Sequence, residues 1–201
     1  MISVKSVDAH LSRLAQPVES AVRPLDEAVG RCLREPLVAK RPAPPFDRVM
    51  MDGYALQAVS RRPGERRFRI CGSAPAGGEP PTLADETCAV EVMTGAMLPP
   101  GADCVVPVEV CRVQGDTLEV AADASLDVGQ YIHRCGSEYA EGTSILPPGV
   151  CLHAAHFALA ASEGYAALSV NTELRVELIT TGDEIVEAGS EPLPWQIFGT
   201  H

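Results

Sequence analysis

Apolar positions near the start of the chain recur at helical spacing. Val7, Leu11 and Leu14 share one face, and Ser6 stands where a hydroxyl can cap the first turn. Pro17 limits that helix. A second helix is predicted over PLDEAVGRCL, with Pro24 near its first turn and Leu25, Ala28, Val29 and Cys32 on one face. After Pro36 the period shortens. From about residue 38 to 134 the chain is built of short Val-rich runs punctuated by Gly and Pro, the texture of strands and turns. Arg67–Ile70 is one run and Cys88–Met93 another. Cys104–Val113 leads through Gln114, Gly115 and Asp116 into Thr117–Ala121, which reads as a hairpin. Pro99, Pro100 and Gly101 form a turn, and AGGEPP at 76–81 is a connector. A third helix is predicted over about 153–163, ended by Gly164. Leu174–Ile179 alternates apolar and polar as a strand, and TTGDE follows at 180–184. The closing PLPWQIFGTH adds no further element, so the chain reads as reaching the entrance of another domain.

Length and composition set outer bounds. A chain of 201 residues suits one or two domains, and 46% apolar content can build a core. Aromatics are only 4%, so that core is expected to be aliphatic. The formal net charge is −11 with no Lys/Arg run, which argues against nucleic acid as a partner. An acidic chain that handles an anion must rely on local cations, backbone N–H groups or a bridging metal ion. The seven cysteines are scattered and odd in number, and none form a C-x-x-C pair. The expectation is therefore buried small hydrophobes in a reducing compartment rather than a zinc finger or a disulfide framework. With no signal-like N-terminus and no membrane-length apolar run, the expectation is a cytoplasmic protein without membrane association.

Four segments can carry chemistry. In PPFDRVMMDGYALQ, residues 44–57, Asp52 precedes Gly53 just after a proline pair and two methionines. Pro44–Pro45 favours an extended approach, and Gly53 permits an unusual backbone or a close ligand. Local chemistry leaves Asp52 open as a ligand-facing carboxylate or as a cap. In MTGAMLPPGADCVVPVE, residues 93–109, Thr94 and free N–H groups at a strand end can hold an oxyanion, or simply end a strand. In GQYIHRCGSEYAEG, residues 129–142, Arg134 can fork onto an oxyanion and Glu138 can ligate a cation, or the two can form a surface ion pair. TTGDE offers Asp183 and Glu184 at a strand end, where α/β folds place ligand groups, although Asp183 can equally cap a turn. His153 and His156 stand at helical i, i+3 spacing, but no third ligand accompanies them, which favours a surface pair over a metal site. No P-loop, no dinucleotide-binding glycine motif and no nucleophile–base order is present.

Taken in order, these segments resemble the molybdopterin molybdenumtransferase family, known as MoeA in bacteria and as the gephyrin E-domain in animals. PLDEAVGRCL is similar to the family's second-helix signature, and PPFDRVMMDGYAL to its MDGYA signature. MTGAMLPPGADCVVPVE resembles its TGA…GAD-x-VV…E segment, GQYIHRCGSEYAEG its I-R-x-x-GED segment, and TTGDE its STGDE. The resemblance implies a composite α+β fold. Residues 1–38 would pair with 142–171 as a discontinuous helix-containing domain, a β-rich domain at 39–141 would be inserted between them, and 172–201 would begin an α/β pterin-binding domain without completing it.

The resemblance also implies an activity, the insertion of molybdenum from molybdate into adenylylated molybdopterin with release of AMP. Mg²⁺ would assist, and the protein would act as a homodimer. Carried over position by position, the functional carboxylates are Asp52, Glu138 and Glu184, with Thr94 and Arg134 facing the anion. Carboxylates repel a molybdate dianion, so their work would be to hold cations, orient water and move protons as an oxo ligand leaves. The chain departs from the pattern where Gly136-Ser137-Glu138 stands for GED and where His133 and Cys135 replace basic residues. It also lacks the family's later Gly-rich loop and P-G-K-P segment. These departures imply a piece inactive by itself. A non-catalytic dimerisation or scaffold module is the alternative, and a zinc protein using His153 and His156 a third reading.

Overall fold

The computed structural model describes residues 4–14, 18–59, 64–173 and 179–199. In chain order the elements are α1 (Val4–Leu14), β1 (Ser20–Pro24), α2 (Leu25–Ala28), β2 (Leu37–Val38), β3 (Arg48–Val49), β4 (Gly53–Leu56), β5 (Arg67–Ala74), β6 (Cys88–Val92) and β7 (Cys104–Pro107). A 3₁₀ turn at Val108–Val110 leads to β8 (Cys111–Gln114), β9 (Thr117–Val120), β10 (Ile132–His133), β11 (Ser144–Leu146), α3 (Ala154–Ser162), β12 (Ala167–Asn171), β13 (Ile185–Val186) and β14 (Ile197–Phe198). The fold class is α+β, as the sequence implies.

Six strands form one mixed sheet in the order β7-β4-β6-β5-β9-β8. Its central strands carry nearly continuous apolar runs because both of their faces are covered. Side chains alternate between faces along a strand. On one face Ala55, Cys88, Val90, Val92 and Val105 pack with Val49, Leu98 and Ile132. On the other, Tyr54, Leu56, Ala89, Cys104 and Val106 pack with Phe68, Leu118 and Leu126. Each such aliphatic or aromatic side chain contributes about 1.5–3 kcal/mol on full burial. The predicted hairpin forms, with Gln114 opposite Thr117 across the Gly115–Asp116 turn.

A separate core gathers residues from both ends of the chain. Leu25, Ala28, Leu33 and Leu37 pack against Leu152, Ala160, Leu168 and Val170. β1 pairs with β12 and β2 with β11, both antiparallel. The two crossings between this core and the large sheet meet at Glu163, a buried carboxylate at the C-cap of α3. Glu163 accepts from the Tyr139 hydroxyl and from the Lys40 backbone N–H. Lys40 Nζ donates to the Gly164 carbonyl and lies over the Tyr165 ring. A buried carboxylate is tolerable only with such partners.

Several expectations are corrected. The second helix is a single turn, because Val29 is already extended and Gly30 takes φ +82°, turning the chain so that Cys32 and Leu33 bridge to Cys151 and Val170. α1 begins at Val4, so Ser6 lies inside it rather than capping it. β5 runs on to Ala74, four residues past Ile70, because it pairs with both β6 and β9. α3 and Gly164 stand as predicted, with φ +73° at the glycine. The strand expected over Leu174–Ile179 falls mostly on residues 174–178, outside those described.

The cysteines also differ from expectation. Cys71, on the irregular stretch where β5 shifts register against β6, forms a disulfide with the fully buried Cys88. Cys135 and Cys151 are exposed, and Cys32 and Cys111 half-buried. Burial, then the charge of Glu109, pushes the Cys111 thiol up to about 11, so it stays protonated and unreactive at neutral pH. Sequence spacing misses the 71–88 pair because strand pairing, not a local motif, brings the two together. Thiol titration in denaturant is expected to find five free thiols without reductant and seven after reduction.

Gly53 serves a different purpose from the one its sequence suggests. Its φ is not among the positive values. A Cβ placed there would stand 1.9 Å from the Val106 carbonyl oxygen of the paired strand β7. Gly53→Ala must therefore part β4 from β7. Overpacking of this severity is expected to cost about 3 kcal/mol or more, read as a melting temperature lowered by roughly 6–12 °C.

Candidate active site

β4 has all four residues buried, and Asp52 is the exposed residue directly before it. The strand therefore fixes where this carboxylate emerges. β6 pairs antiparallel with β4, placing Gly53 opposite Val92, so the turn that follows β6 returns beside Asp52. There the Thr94 backbone N–H and hydroxyl both donate to Asp52 Oδ1, at 2.7 and 2.7 Å. These two bonds, the hydroxyl's first and the amide's second, hold the Asp52 carboxyl below its ordinary range. Among the described residues Oδ2 has no protein partner. The Asp52 carbonyl accepts from the Val108 N–H at 3.1 Å, which ties the residue to the end of β7.

The 129–142 segment arrives on the other side of β3. Ile132 and His133 pair with Val49 and Arg48, while Val49 exchanges backbone hydrogen bonds with the Gly95–Ala96 turn. Three motif segments thus converge on the two residues of β3. Ala43 and Pro44, joined by a cis peptide bond, template the next turn. Their carbonyls accept from the N–H groups of Glu138 and Gly136.

Arg134 is committed within the protein. Its Nη1 donates to Asp47 Oδ2 at 2.6 Å, and the Cys135 N–H donates to Asp47 Oδ1 at 2.8 Å. Burial alone would raise the Asp47 carboxyl, but the Cys135 N–H and the Arg134 guanidinium outweigh it and hold it below its usual value. Arg48 Nη2 lies 3.1 Å from His133 Nδ1. A guanidinium only donates, so His133 Nδ1 accepts and the ring proton sits on Nε2, which faces Glu138 Oε1 at 3.6 Å. Glu138 therefore lies beside the His133 ring, and among the described residues no ion pair joins it to Arg134.

Asp47 and Arg48 were not singled out in the sequence. Their signal was a charged pair inside the same motif, five residues before Asp52. Arg48 supplies positive charge that the His133 and Cys135 replacements had suggested was missing.

Glu184 stands apart from this cluster. Its carboxylate folds over Gly182, where a Cβ would meet Oε2 at 2.7 Å, and its carbonyl accepts from Ile197 N–H at 2.7 Å. Among the described residues β13 pairs only with β14, and no hydrogen bond joins 179–199 to the Asp52 cluster. His156 Nδ1 accepts from the His153 N–H at 3.4 Å, capping α3. Among the described residues no group of three or more His, Cys, Asp and Glu side chains is placed to share a metal ion. A groove of about 470 Å³ beside Arg66, Glu109, Cys111, Arg112 and Glu119 reaches the motif segments only at Glu109 and touches none of Asp52, Thr94, Arg134, Glu138 and Glu184.

A family model described as the MoeA N-terminal region (domain I and II) matches residues 2–164. The chain belongs to this family. A molybdopterin molybdenumtransferase of Synechocystis sp. is 34% identical over 168 residues, covering 84% of this chain and 43% of that protein. Molybdopterin molybdenumtransferase 2 of Mycobacterium tuberculosis is 33% identical over 196 residues, covering 96% of this chain and 47% of that one. The crystal structure of a molybdopterin biosynthesis MoeA protein from Pyrococcus horikosii superposes over 100% of this chain and 52% of its own, with a TM-score of 0.84 at 26% identity. The chain spans about half the length of the curated relatives it matches, so its α+β architecture is that of the N-terminal region of the family.

Thr94→Val keeps the shape of the side chain and removes the hydroxyl donor. The Asp52 pKa, followed by carbon NMR of its carboxyl group, is expected to rise toward the ordinary aspartate range, with the amide donor retaining part of the depression. In the native chain the Thr94–Asp52 contact is present above aspartate's usual pKa. Its charge-assisted strength is lost as pH falls through the lowered value, because protonation at Oδ2 leaves Oδ1 only a neutral carbonyl acceptor.

Proposed function

We propose that this chain forms the N-terminal part of an enzyme that inserts molybdenum from molybdate into adenylylated molybdopterin, releasing AMP. The observation that carries the reading is the Asp52–Thr94 pair, set at the head of a buried strand where three family motifs converge on β3. Within this reading Asp52, Glu138 and Glu184 are the functional carboxylates, and Thr94 and Arg134 flank the anionic substrate. Asp52 keeps one oxygen bound to Thr94 and the other open. It can pass the protons of the two pterin thiols, one after the other, to a departing oxo ligand; two Mo–S bonds form, one Mo–O bond breaks, and the oxo ligand leaves with both protons as water.

Mg²⁺ has no protein-built cage among the described residues, since Asp52 supplies a single exposed carboxylate there. No step is assigned to the ion. We place residues 39–141 as the inserted domain, 1–38 with 142–171 as the discontinuous one, and 172–201 as the start of the pterin-binding domain. The three buried clusters support that division, because two draw only on residues between 49 and 132 and the third only on residues outside that span. The homodimer is a proposal of the same kind, supported by the solvent-facing Val7 and Leu11 of α1. A cytoplasmic location is a further proposal, in keeping with the absence of any described helix long and apolar enough to cross a membrane. The exposed α1 face serves equally a non-catalytic dimerisation module, which activity measurements separate from the enzyme.

Asp52→Asn, in a protein carrying the remaining half found in the relatives, is expected to slow insertion by about 100-fold, at the lower end of general acid–base effects. Its Kd for adenylylated molybdopterin is expected to change by less than about threefold, the mark of a group acting in the transition state. The 201-residue chain alone is expected to form no cofactor. Equal insertion rates for the Asn variant and the unaltered protein would count against a chemical role for Asp52.

A further inference from the structure

We propose that Asp47 is a positioning residue for the molybdenum-insertion site, an inference that rests on the functional reading above. It acts by fixing the direction of Arg134 and the fold of the 134–138 turn.

Among the described residues Asp47 is the one side chain that bonds two adjacent groups of that turn at once. Oδ2 takes the Arg134 guanidinium at 2.6 Å and Oδ1 the Cys135 N–H at 2.8 Å. Its backbone carbonyl takes the Leu98 N–H at 2.9 Å, on the segment that also carries Thr94. One residue therefore binds the arginine-bearing turn with its side chain and the Thr94 segment with its main chain. It lies at the entry to β3, whose other end leads into Asp52.

Arg134 is half-exposed, and the contact engages Nη1. A free arginine at that position would sweep many rotamers, losing the fork geometry that suits an oxyanion. The carboxylate selects one orientation and offsets part of the positive charge. Removing Asp47 therefore leaves more attraction for an anion but less order. The consequence is kinetic: turnover should fall while the concentration of molybdate needed should not rise. A residue that served only stability would lower both the melting temperature and the amount of active protein and would leave turnover per folded molecule unchanged.

Asp47→Asn tests this at constant shape. Its amide has one accepting end, so either Arg134 or the Cys135 N–H meets a donor, and the charge that holds the guanidinium is gone. In a protein carrying the remaining half found in the relatives, kcat is expected to fall ~10–100-fold, the range seen when a supporting partner of a site residue is lost. KM for molybdate is expected to stay within about twofold of the unaltered protein or to fall. Added to Arg134→Gln, the Asp47 substitution is expected to cost little more, because the two act as one unit. Asp47→Glu, which keeps the charge one methylene further out, is expected to recover part of kcat. Unaltered kcat in Asp47→Asn, or full additivity with Arg134→Gln, overturns the proposal.

A readout on the chain itself does not depend on activity. Hydrogen exchange at the Cys135 amide is expected to accelerate in Asp47→Ala, and unchanged exchange overturns the proposal. An unaltered protein that forms no cofactor would instead sink the functional reading, while the amide measurement would still judge the Asp47 contact.

Discussion

The structure depends on the close pairing of β4 with β7, made possible because Gly53 has no side chain. With the Val106 carbonyl oxygen 1.9 Å from the place a Cβ would occupy, no other residue fits. That pairing buries every residue of β4 and so gives Asp52, its immediate predecessor, a rigid base. A carboxylate on a loose loop would spend its time in solvent. Here the backbone leaves it in one place, and the turn after β6 is brought back to meet it with two donors.

The second level of order is electrostatic. In a chain of net charge −11, the candidate site gathers Arg48, Arg134 and His133 beside Asp47, Asp52 and Glu138. Each carboxylate has a named donor or cation near it, so the cluster is neither a bare acidic patch nor a bare anion hole. Surface ion pairs of this kind add little to stability. Their effect is to choose rotamers. Asp47 orients Arg134, Arg48 sets the tautomer of His133, and the ring proton then faces Glu138. Glu163 does comparable work away from the site, holding Tyr139 and Lys40 where the two chain crossings leave the helix-bearing core.

Much of the fold was legible in the sequence because it rests on local signals. Gln114–Gly115–Asp116 marks a hairpin wherever it stands between alternating runs, and Gly164 ends α3 because only glycine enters that backbone region without strain. The apolar run from Cys104 announced β7, whereas Gly53–Leu56, read as part of a turn motif, is the buried strand β4 beside it. The second helix misled because PLDEAVGRCL has helical spacing throughout, yet Val29 is extended, Gly30 turns the chain at φ +82°, and Leu33 bridges to Val170. Asp52 and Thr94 were legible as candidates from their motifs, but nothing local said that Thr94 spends both donors on Asp52.

The sequence by itself determined the class of the fold, the acidic balance, the segments that carry polar groups and, through their order, the family. Tertiary structure alone decided which of those groups meet. Thr94 and Asp52 are 42 residues apart, Arg134 and Asp47 are 87, and Arg48 and His133 are 85. The cause is strand order. The sheet neighbours of β4, which are β7 and β6, are not its neighbours along the chain, so contacts between their ends follow from how two covered faces are satisfied at once. Periodicity tells each strand which face is apolar. Only the assembled sheet tells it which strand lies alongside, and therefore which charges must share a turn.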